Sequence, residues 1–369
     1  MSAQDFIVNR GNLREARVVE AADAADPLPI GAVRMRIDLF ALTSNNITYG
    51  AFGEAMHYWD FFPCKVEGHG RIPVWGFADV QESNVPGIEV GERFYGYYPM
   101  STHVVLQPEH VGSSGFVDGA PHRRELHALY NRYLRSSAET GHIPENEAQI
   151  ALLRPLFTTS FLIDDFLADN KFFGARTVIL SSASSKTAYG TAFCLRQRLA
   201  EGGEVKVVGL TSPVNEKFTR GLGCYDDVLL YDKVTTLPQD VPMVYVDMSG
   251  SAAVRSAIHT HLADSLMHSC SVGGTHWTEL GGGKGLPGPR PTLFFAPAQA
   301  AKRMADWGGP GELQKRIAAA WQAFMKPVTD PVSPWLTVVR GRGASDVEQA
   351  YRELIDGRAN PQQGHVLSL

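Results

Sequence analysis

The chain has 369 residues, 44% of them hydrophobic and 20% charged, with a formal net charge of −5 at pH 7. That length allows two or three structural units with ample material for buried cores, and the composition is that of an ordinary globular protein. The acidic balance and the lack of a dense basic stripe exclude nucleic acid as the expected partner, and no apolar run reaches membrane-spanning length, because the best one, near Phe157, is broken by Asp164 and Asp165.

The N-terminal Met1–Arg10 has no apolar signal-peptide core, so a cytoplasmic location is expected. Cys64, Cys194, Cys224 and Cys270 are scattered, which argues against a disulfide scaffold and a structural zinc. The first hundred residues read as short strands separated by turns. Val33–Phe40 alternates apolar and polar positions as a half-buried strand does, and Val74–Ser83 and Val104–Pro108 read as further strands. From 112 to 150, aromatics mix with positive charge (Arg123, Arg124, Tyr130, Arg132, Tyr133, Arg135). A helix is predicted over Glu125–Arg135 and another from near Glu145 to Leu153.

From about residue 155 the pattern alternates. Strand-like runs fall at Thr177–Leu180, Val205–Leu210, Asp227–Leu230, Met243–Val246, Leu266–Val272 and Thr292–Phe295. Helical patterns at Ala188–Ala200, Val214–Gly221 and Ala252–Ala263 lie between them, which implies a doubly wound parallel sheet. Beyond Pro297 two helices, a strand at Trp335–Val339, a helix at Ser345–Ile355 and a last strand at Gly364–Leu369 are expected.

The most informative stretch is Arg176–Ala192, where an apolar run stops at small polar residues and a helical pattern follows. This is the strand–turn–helix that opens a dinucleotide-binding fold. Its turn lacks the usual glycines: a Gly-x-x-Gly-x-x-Gly frame falls on Ser182, Ser185 and Ala188, and Lys186 stands where a pyrophosphate would pass. A helix N-terminus favours anions. Ser182, Ser184 and Ser185 can add hydroxyl donors, Thr187 lies beside them, and Lys186 adds charge, a charge-assisted bond being worth roughly 1.5–3 kcal/mol. A loop that has lost its nucleotide is the competing reading. A P-loop reading of Ser185–Thr187 fails at both required glycines. After the next strand, Val208–Lys217 carries no acid to hold the ribose hydroxyls of NAD. Ser212, Asn215 and Lys217 suit a 2′-phosphate instead, so NADP (NADPH) is the expected cofactor, an ordinary solvated helix being the plainer reading of Lys217.

In sequence order, Val33–Ala41, Val90–Gly96, Gly174–Leu180, Leu222–Tyr231 and Gln363–Leu367 together resemble the medium-chain dehydrogenase/reductase superfamily, which includes quinone oxidoreductases and enoyl reductases. More narrowly, Ser44–Tyr49, Tyr130–Tyr133 and Arg154–Phe161 resemble a bacterial branch of uncharacterised function. The resemblance implies an α/β fold with a Rossmann-type doubly wound sheet and a β-rich GroES-like catalytic domain. Residues 1–150 and 326–369 would form the latter, with a helical insertion at about 112–150, and residues 151–325 the dinucleotide-binding domain. It also implies Tyr231 near the adenosine end, Phe295 bordering the nicotinamide half, Thr159 (with Thr158) beside the nicotinamide amide, and a homodimer.

Zinc-dependent members carry a first cysteine ligand where this chain reads Leu42–Tyr49, without a thiol. Gly70 replaces the glutamate that usually follows the histidine of the second ligand motif, and Cys64 and His69 have no evident third partner, so no metal is expected. Asn45, Asn46 and Tyr49 lie where zinc-free reductases place polar active-site groups. A phenol or amide donor there would stabilise an enolate, and Tyr49 could give a proton. A plain Asn-Asn turn is the competing reading. His57, Tyr58 and Trp59 would line the pocket and Tyr130–Tyr133 would cover it. The expected activity is zinc-independent hydride transfer from NADPH to an activated C=C or C=O of a small molecule, such as an enone or quinone. The alternative is a nucleotide-binding protein of the same fold without redox turnover.

Overall fold

The computed structural model describes residues 3–21, 26–138, 143–200, 202–272 and 285–369, and the chain divides into two units, residues 1–152 with 337–369, and residues 153–336. The first unit begins with strands β1 (Gln4–Asn9), β2 (Asn12–Glu20) and β3 (Val33–Leu42), helix α1 (Ser44–Ala51), and strands β4 (His69–Gly70), β5 (Pro73–Ser83), β6 (Arg93–Pro99), β7 (His103–Leu106), β8 (Pro108–Gly112), β9 (Gly115–Asp118) and β10 (Arg132–Arg135). Helix α2 (Glu147–Asp169) leads into the second unit, with β11 (Thr177–Leu180), α3 (Lys186–Leu199), β12 (Lys206–Thr211), α4 (Glu216–Gly221), β13 (Asp227–Leu230), β14 (Met243–Asp247), α5 (Ala252–Leu262), β15 (Leu266–Ser271), β16 (Thr292–Leu293), α6 (Ala296–Asp306) and α7 (Pro310–Val328). The chain then returns to the first unit with β17 (Thr337–Arg342), α8 (Ala344–Ile355) and β18 (Gln363–Ser368).

In the first unit, β17-β18-β3-β5-β6-β10-β9-β8 form one sheet, to which β7 adds through β3, and β2-β1-β4 form a second. The alternation of β3 buries Val33, Met35 and Ile37, the inward face the sequence predicts. One expectation is corrected. No helix forms over Glu125–Arg135; a single 3-10 turn at Ala128–Asn131 runs into β10, which pairs antiparallel with β6 and β9. Cross-strand packing overrides the local helical pattern. Tyr133 stacks on Phe116 at 5.0 Å and lies over Gly96, where an added Cβ would stand 2.3 Å from its ring.

The helix expected at Glu145–Leu153 is instead the 23-residue α2. Asp164 and Asp165, which interrupt its apolar run, do not end it because each is paired: Arg198 donates to Asp164 at 2.8 Å, and Arg303 and Gln299 donate to Asp165 at 2.6 Å.

The second unit carries a six-stranded sheet of order β13-β12-β11-β14-β15-β16, parallel throughout. Strands buried on both faces read as continuous apolar runs, which is why the sequence shows them clearly. The strand order runs outward from β11 in one direction and from β14 in the other, and right-handed crossovers, the rule for such folds, put α3 and α5 on opposite faces. Ile258 and Leu262 of α5 pack with Ile179, Leu210 and Tyr245. On α3, Tyr189 and Phe193 pack with Phe324 and Trp335. Between β11 and β14 the winding direction reverses, and open α/β sheets bind ligands in the crevice at the carboxyl ends of such neighbours.

Candidate functional site

The loop after β11 meets the loop after β14 through buried polar side chains. The Ser181 hydroxyl donates to Asp247 Oδ1 at 3.0 Å and accepts the N–H groups of Met248 and Ser249 at 3.0 and 3.1 Å. Asp247 Oδ1 also accepts from Gly250 N–H and the Ser249 hydroxyl, each at 2.9 Å, while Oδ2 takes Arg255 Nε at 2.9 Å. Asp247 is fully buried and Arg255 nearly so. A charge so placed is tolerated only when paired and hydrogen-bonded, as here. Sequence reasoning missed this network; its one signal is the small polar run Asp247–Ser251 directly after an apolar strand.

Ser182 takes the position of the fingerprint's first glycine with a glycine's backbone, φ 50°. Its N–H donates to the Tyr231 hydroxyl at 3.0 Å, which braces a conformation that costs a residue with a side chain roughly 1–2 kcal/mol. Ser185 is the N-cap of α3; its hydroxyl accepts Ala188 N–H at 3.3 Å and retains its own proton to donate. Lys186 opens the helix, and desolvation pulls its pKa down to about 8. Gly190, one turn on, permits close packing, since a Cβ there would lie 2.7 Å from Ser160 Oγ.

Ser182, Ser184, Ser185, Lys186, Thr187 and Tyr231 are therefore gathered at one helix N-terminus at the winding reversal. Ser212 follows the adjacent strand β12 and Lys217 is an exposed residue of α4. Thr159 lies inside α2, its hydroxyl donating to Pro155 O at 3.2 Å, and Phe295 is the half-exposed N-cap of α6; neither is brought to the loop by a described contact. The donor set suits a phosphate-bearing nucleotide: a helix N-terminus, serine hydroxyls and a cation, with no acid at the end of β12 to hold a free ribose.

The second cluster is in the first unit, on α1. Leu42–Tyr49 is no plain turn; Ser44–Ala51 is helical, which puts Asn45 and Tyr49 on one face at i, i+4. Asn46 points elsewhere: its Oδ1 accepts Thr43 N–H at 2.8 Å and its Nδ2 donates to Pro73 O at 2.9 Å, so its amide anchors the helix start.

Tyr49 is 6% exposed and packs with Tyr58 at 4.4 Å, Tyr97 at 5.9 Å and Tyr130 at 6.5 Å between ring centroids. Burial is the largest influence on its phenol and holds the pKa well above 10; Trp75, Asn45 and Tyr130 act the other way as donors toward its oxygen. Of these the Trp75 indole N–H makes no hydrogen bond of normal length. The Tyr97 hydroxyl, in a residue with no exposed surface, also has no partner among the described residues. A buried polar group without a partner is costly and points to a ligand or water.

Trp59 fixes the turn that carries Tyr58. It is 1% exposed and lodged against Gly53 and Gly70, where added Cβ atoms would lie 2.0 and 2.4 Å from its ring. Gly70 is thus required by packing at the position of the missing glutamate. His69 Nδ1 lies 2.9 Å from Glu67 O and its Nε2 3.3 Å from Arg17, while Cys64 is half-buried. Among the described residues no three His, Cys, Asp or Glu side chains are grouped to hold a metal ion, and no helix is long and apolar enough to cross a membrane.

Residues 40–360 match the model of a family described as "Protein of unknown function (DUF2855)". The chain belongs to this family. No curated protein matches it by sequence. Among solved structures it is similar to CurA from Vibrio vulnificus in complex with NADPH, at 13% identity and TM-score 0.62 over 99% of this chain and 98% of that one. It is similar to the yhdH oxidoreductase from Salmonella enterica in complex with NADP, at 14% identity and TM-score 0.53 over 99% of each chain. It is also similar to mycobacterial Rv1454c complexed with NADPH, at 15% identity and TM-score 0.53 over the whole of both chains. These similarities show a shared fold, with a parallel six-stranded sheet in one unit and a β-rich sheet in the other.

Proposed function

We propose that the protein is an NADPH-dependent, zinc-independent oxidoreductase that reduces an activated C=C or C=O of a small molecule such as an enone or quinone. The observation that carries this reading is Tyr49: a phenol 6% exposed on α1, packed among the rings of Tyr58, Tyr97 and Tyr130. Its raised pKa keeps it protonated throughout the neutral range, so it can donate to an oxygen that becomes negative during reduction. Asn45, one helical turn before it, orients the phenol. Asn46 serves indirectly by anchoring α1. NADPH, when bound, supplies the hydride.

In this reading the unit of residues 153–336 holds the cofactor, and the unit of residues 1–152 with 337–369 acts on the substrate. Lys186 and the serines of the Ser182–Ser185 turn hold the pyrophosphate on the N-terminus of α3, with Thr187 beside them, and Tyr231 braces the turn. Ser212 and Lys217 meet the 2′-phosphate. Thr159 and Phe295 border the nicotinamide. The four cysteines are all unpaired, which suits a reducing, cytoplasmic setting. The exposed edge strand β16, with Leu293 72% exposed, suits pairing with a second copy to make a homodimer. Light scattering of the Leu293→Lys variant checks this: an unchanged dimer mass would move the interface elsewhere.

Fluorescence titration with NADPH, followed by nicotinamide absorbance with benzoquinone, an enal and a simple aldehyde, tests the whole reading. Saturable binding and NADPH consumption are expected. Tyr49→Phe should lower kcat by about 10²–10³ while leaving NADPH affinity within two-fold. Binding without turnover of any acceptor would favour the alternative of a nucleotide-binding protein. No binding up to millimolar NADPH would end both.

A further inference from the structure

The turn between β11 and α3 lacks its glycines, yet a glycine stands beside it. Gly209 lies inside β12, paired with Leu180 of β11 on one side and with Val228 of β13 on the other. A glycine weakens a strand interior and marks a place where another group comes close. Two groups come close here: an added Cβ would stand 2.8 Å from the Ala183 Cβ and 3.0 Å from the Tyr225 ring. The side chain that Gly209 lacks thus makes room for an alanine in the turn and for a tyrosine that reaches it. The Tyr225 hydroxyl donates to Ala183 O at 2.8 Å.

Tyr225 is itself held in place. Its neighbour Asp226 donates its N–H to Val207 O at 2.8 Å and accepts Val207 N–H on its carboxylate at 2.8 Å. Arg196 of α3 donates to the same carboxylate at 2.7 Å. A second phenol reaches the turn from the residue after β13, where the Tyr231 hydroxyl accepts Ser182 N–H at 3.0 Å. Ala183 N–H donates to Leu210 O at 3.0 Å, and Ser185 N–H to Ser182 O at 2.7 Å. The segments on both sides of β13 therefore send a hydroxyl to the turn, and three of its N–H groups are committed within the protein.

We propose that Tyr225 and Tyr231 are positioning residues that impose on this glycine-free turn, by hydrogen bonds, the shape it needs to receive the cofactor pyrophosphate. The proposal rests on the NADPH reading and concerns how the turn is prepared for that cofactor. Glycine takes a positive φ without steric cost, whereas a serine at φ 50° persists only where its surroundings over-determine it. The Tyr231 bond fixes the peptide group before Ser182, and the Tyr225 bond fixes the one after Ala183. The dihedrals between them, that of Ser182 included, are set from both ends. Gly209 is the space this arrangement requires. With its own N–H groups committed, the turn meets a pyrophosphate with the serine hydroxyls, Lys186 and the N–H groups that open α3. The two tyrosines act through the turn and not on the cofactor.

A residue that preforms a site and one that touches the ligand fail differently. Losing the first shrinks the binding-competent fraction and slows association, whereas losing a contact speeds dissociation. In stopped-flow fluorescence with NADPH, Tyr225→Phe and Tyr231→Phe should each associate ten-fold or more slowly, with dissociation within three-fold of wild type. Ser182→Gly adopts the turn's angle without help, so adding it to Tyr231→Phe should return association to within two-fold of Ser182→Gly alone. Wild-type association in either phenylalanine variant overturns the proposal, and so does faster dissociation at unchanged association, which would make the tyrosine a contact of the cofactor. A Tyr231→Phe defect that Ser182→Gly leaves in place overturns it as well. These three results leave the NADPH reading standing, whereas a wild type that binds no NADPH up to millimolar concentration ends both.

Discussion

Replacing Lys186 with methionine should make the protein more stable and a poorer binder of NADPH. Burial pulls the lysine from 10.5 to about 8, which corresponds to about 3 kcal/mol. The folded pKa lies below the unfolded one, so below pH 8 both states carry the charge and the whole cost is present. Between 8 and 10.5 the folded chain has released a proton that the unfolded chain keeps, so stability rises with pH and the cost fades to less than half by pH 9.5. Lys186→Met, similar in length and uncharged, should therefore gain about 3 kcal/mol at pH 7 and less than half of that at pH 9.5. Urea unfolding at the two pH values reads both numbers.

The same charge is what an anion would use. Loss of a charge-assisted bond of roughly 1.5–3 kcal/mol should weaken NADPH by about ten- to a hundred-fold at pH 7. Wild-type affinity should fall as pH passes 8, because the free protein then loses the cation, whereas the methionine variant should stay flat. A variant destabilised at pH 7 would refute the claim that this burial is a net cost. Unchanged NADPH affinity would refute the placing of Lys186 on the phosphates.

Three further substitutions probe the frame around the two clusters. Ser182→Gly removes the left-handed strain of a residue at φ 50° but adds backbone entropy of roughly 0.5–1 kcal/mol, so urea stability should stay within about 1 kcal/mol while NADPH binds at least as tightly; a large loss would show that the serine side chain is essential. Asp247→Asn leaves Arg255 as a buried cation without its charge partner and should destabilise the protein by about 3–5 kcal/mol in urea; a loss under 1 kcal/mol would mean the pair is dispensable. Arg123→Met strands buried Asp118 and should cost a similar amount, with near-UV circular dichroism reporting the loss of order around Tyr130; an unchanged aromatic spectrum would remove Arg123 as its anchor.

The parallel sheet was legible because burial on both faces writes itself as apolar runs: the expected Thr177–Leu180 and Asp227–Leu230 coincide with β11 and β13, and Met243–Val246 with β14 to one residue. The region around Tyr130 was not, because Arg132–Arg135 is a strand only by virtue of partners on β6 and β9 that lie far away in sequence. The α1 segment held a readable signal, Thr43 followed three residues later by Asn46, a side chain able to reach back to the Thr43 N–H as in a capping box, yet the Asn-Asn pair also reads as a turn. Tyr231 is expected from the resemblance near the adenosine end of the cofactor, but its bond to Ser182 N–H joins residues 49 positions apart and left no local signal. The Asp247–Arg255 and Arg123–Asp118 pairs carry no motif, since burial, not spacing, is what makes them special.

Three departures from local rules lie at the two clusters. Ser182 holds a glycine's backbone angle, Lys186 is a desolvated cation, and the Tyr97 hydroxyl is buried without a partner. Each costs on the order of 1–3 kcal/mol, a large share of the few kcal/mol by which a folded protein exceeds its unfolded state. Glycine would relax the backbone at the first position, and methionine and phenylalanine would remove a buried polar group at the other two. A phosphate at the α3 N-terminus and an oxyanion beside Tyr49, as proposed, would account for all three, because a bound anion would turn the Lys186 charge into a favourable contact, draw on the donors of the Ser182–Ser185 turn, and give the phenol cluster an acceptor. If Lys186→Met and Tyr97→Phe each gain stability and lose binding, the expense of these residues lies in function; if they gain stability and lose nothing, neither cluster is a site.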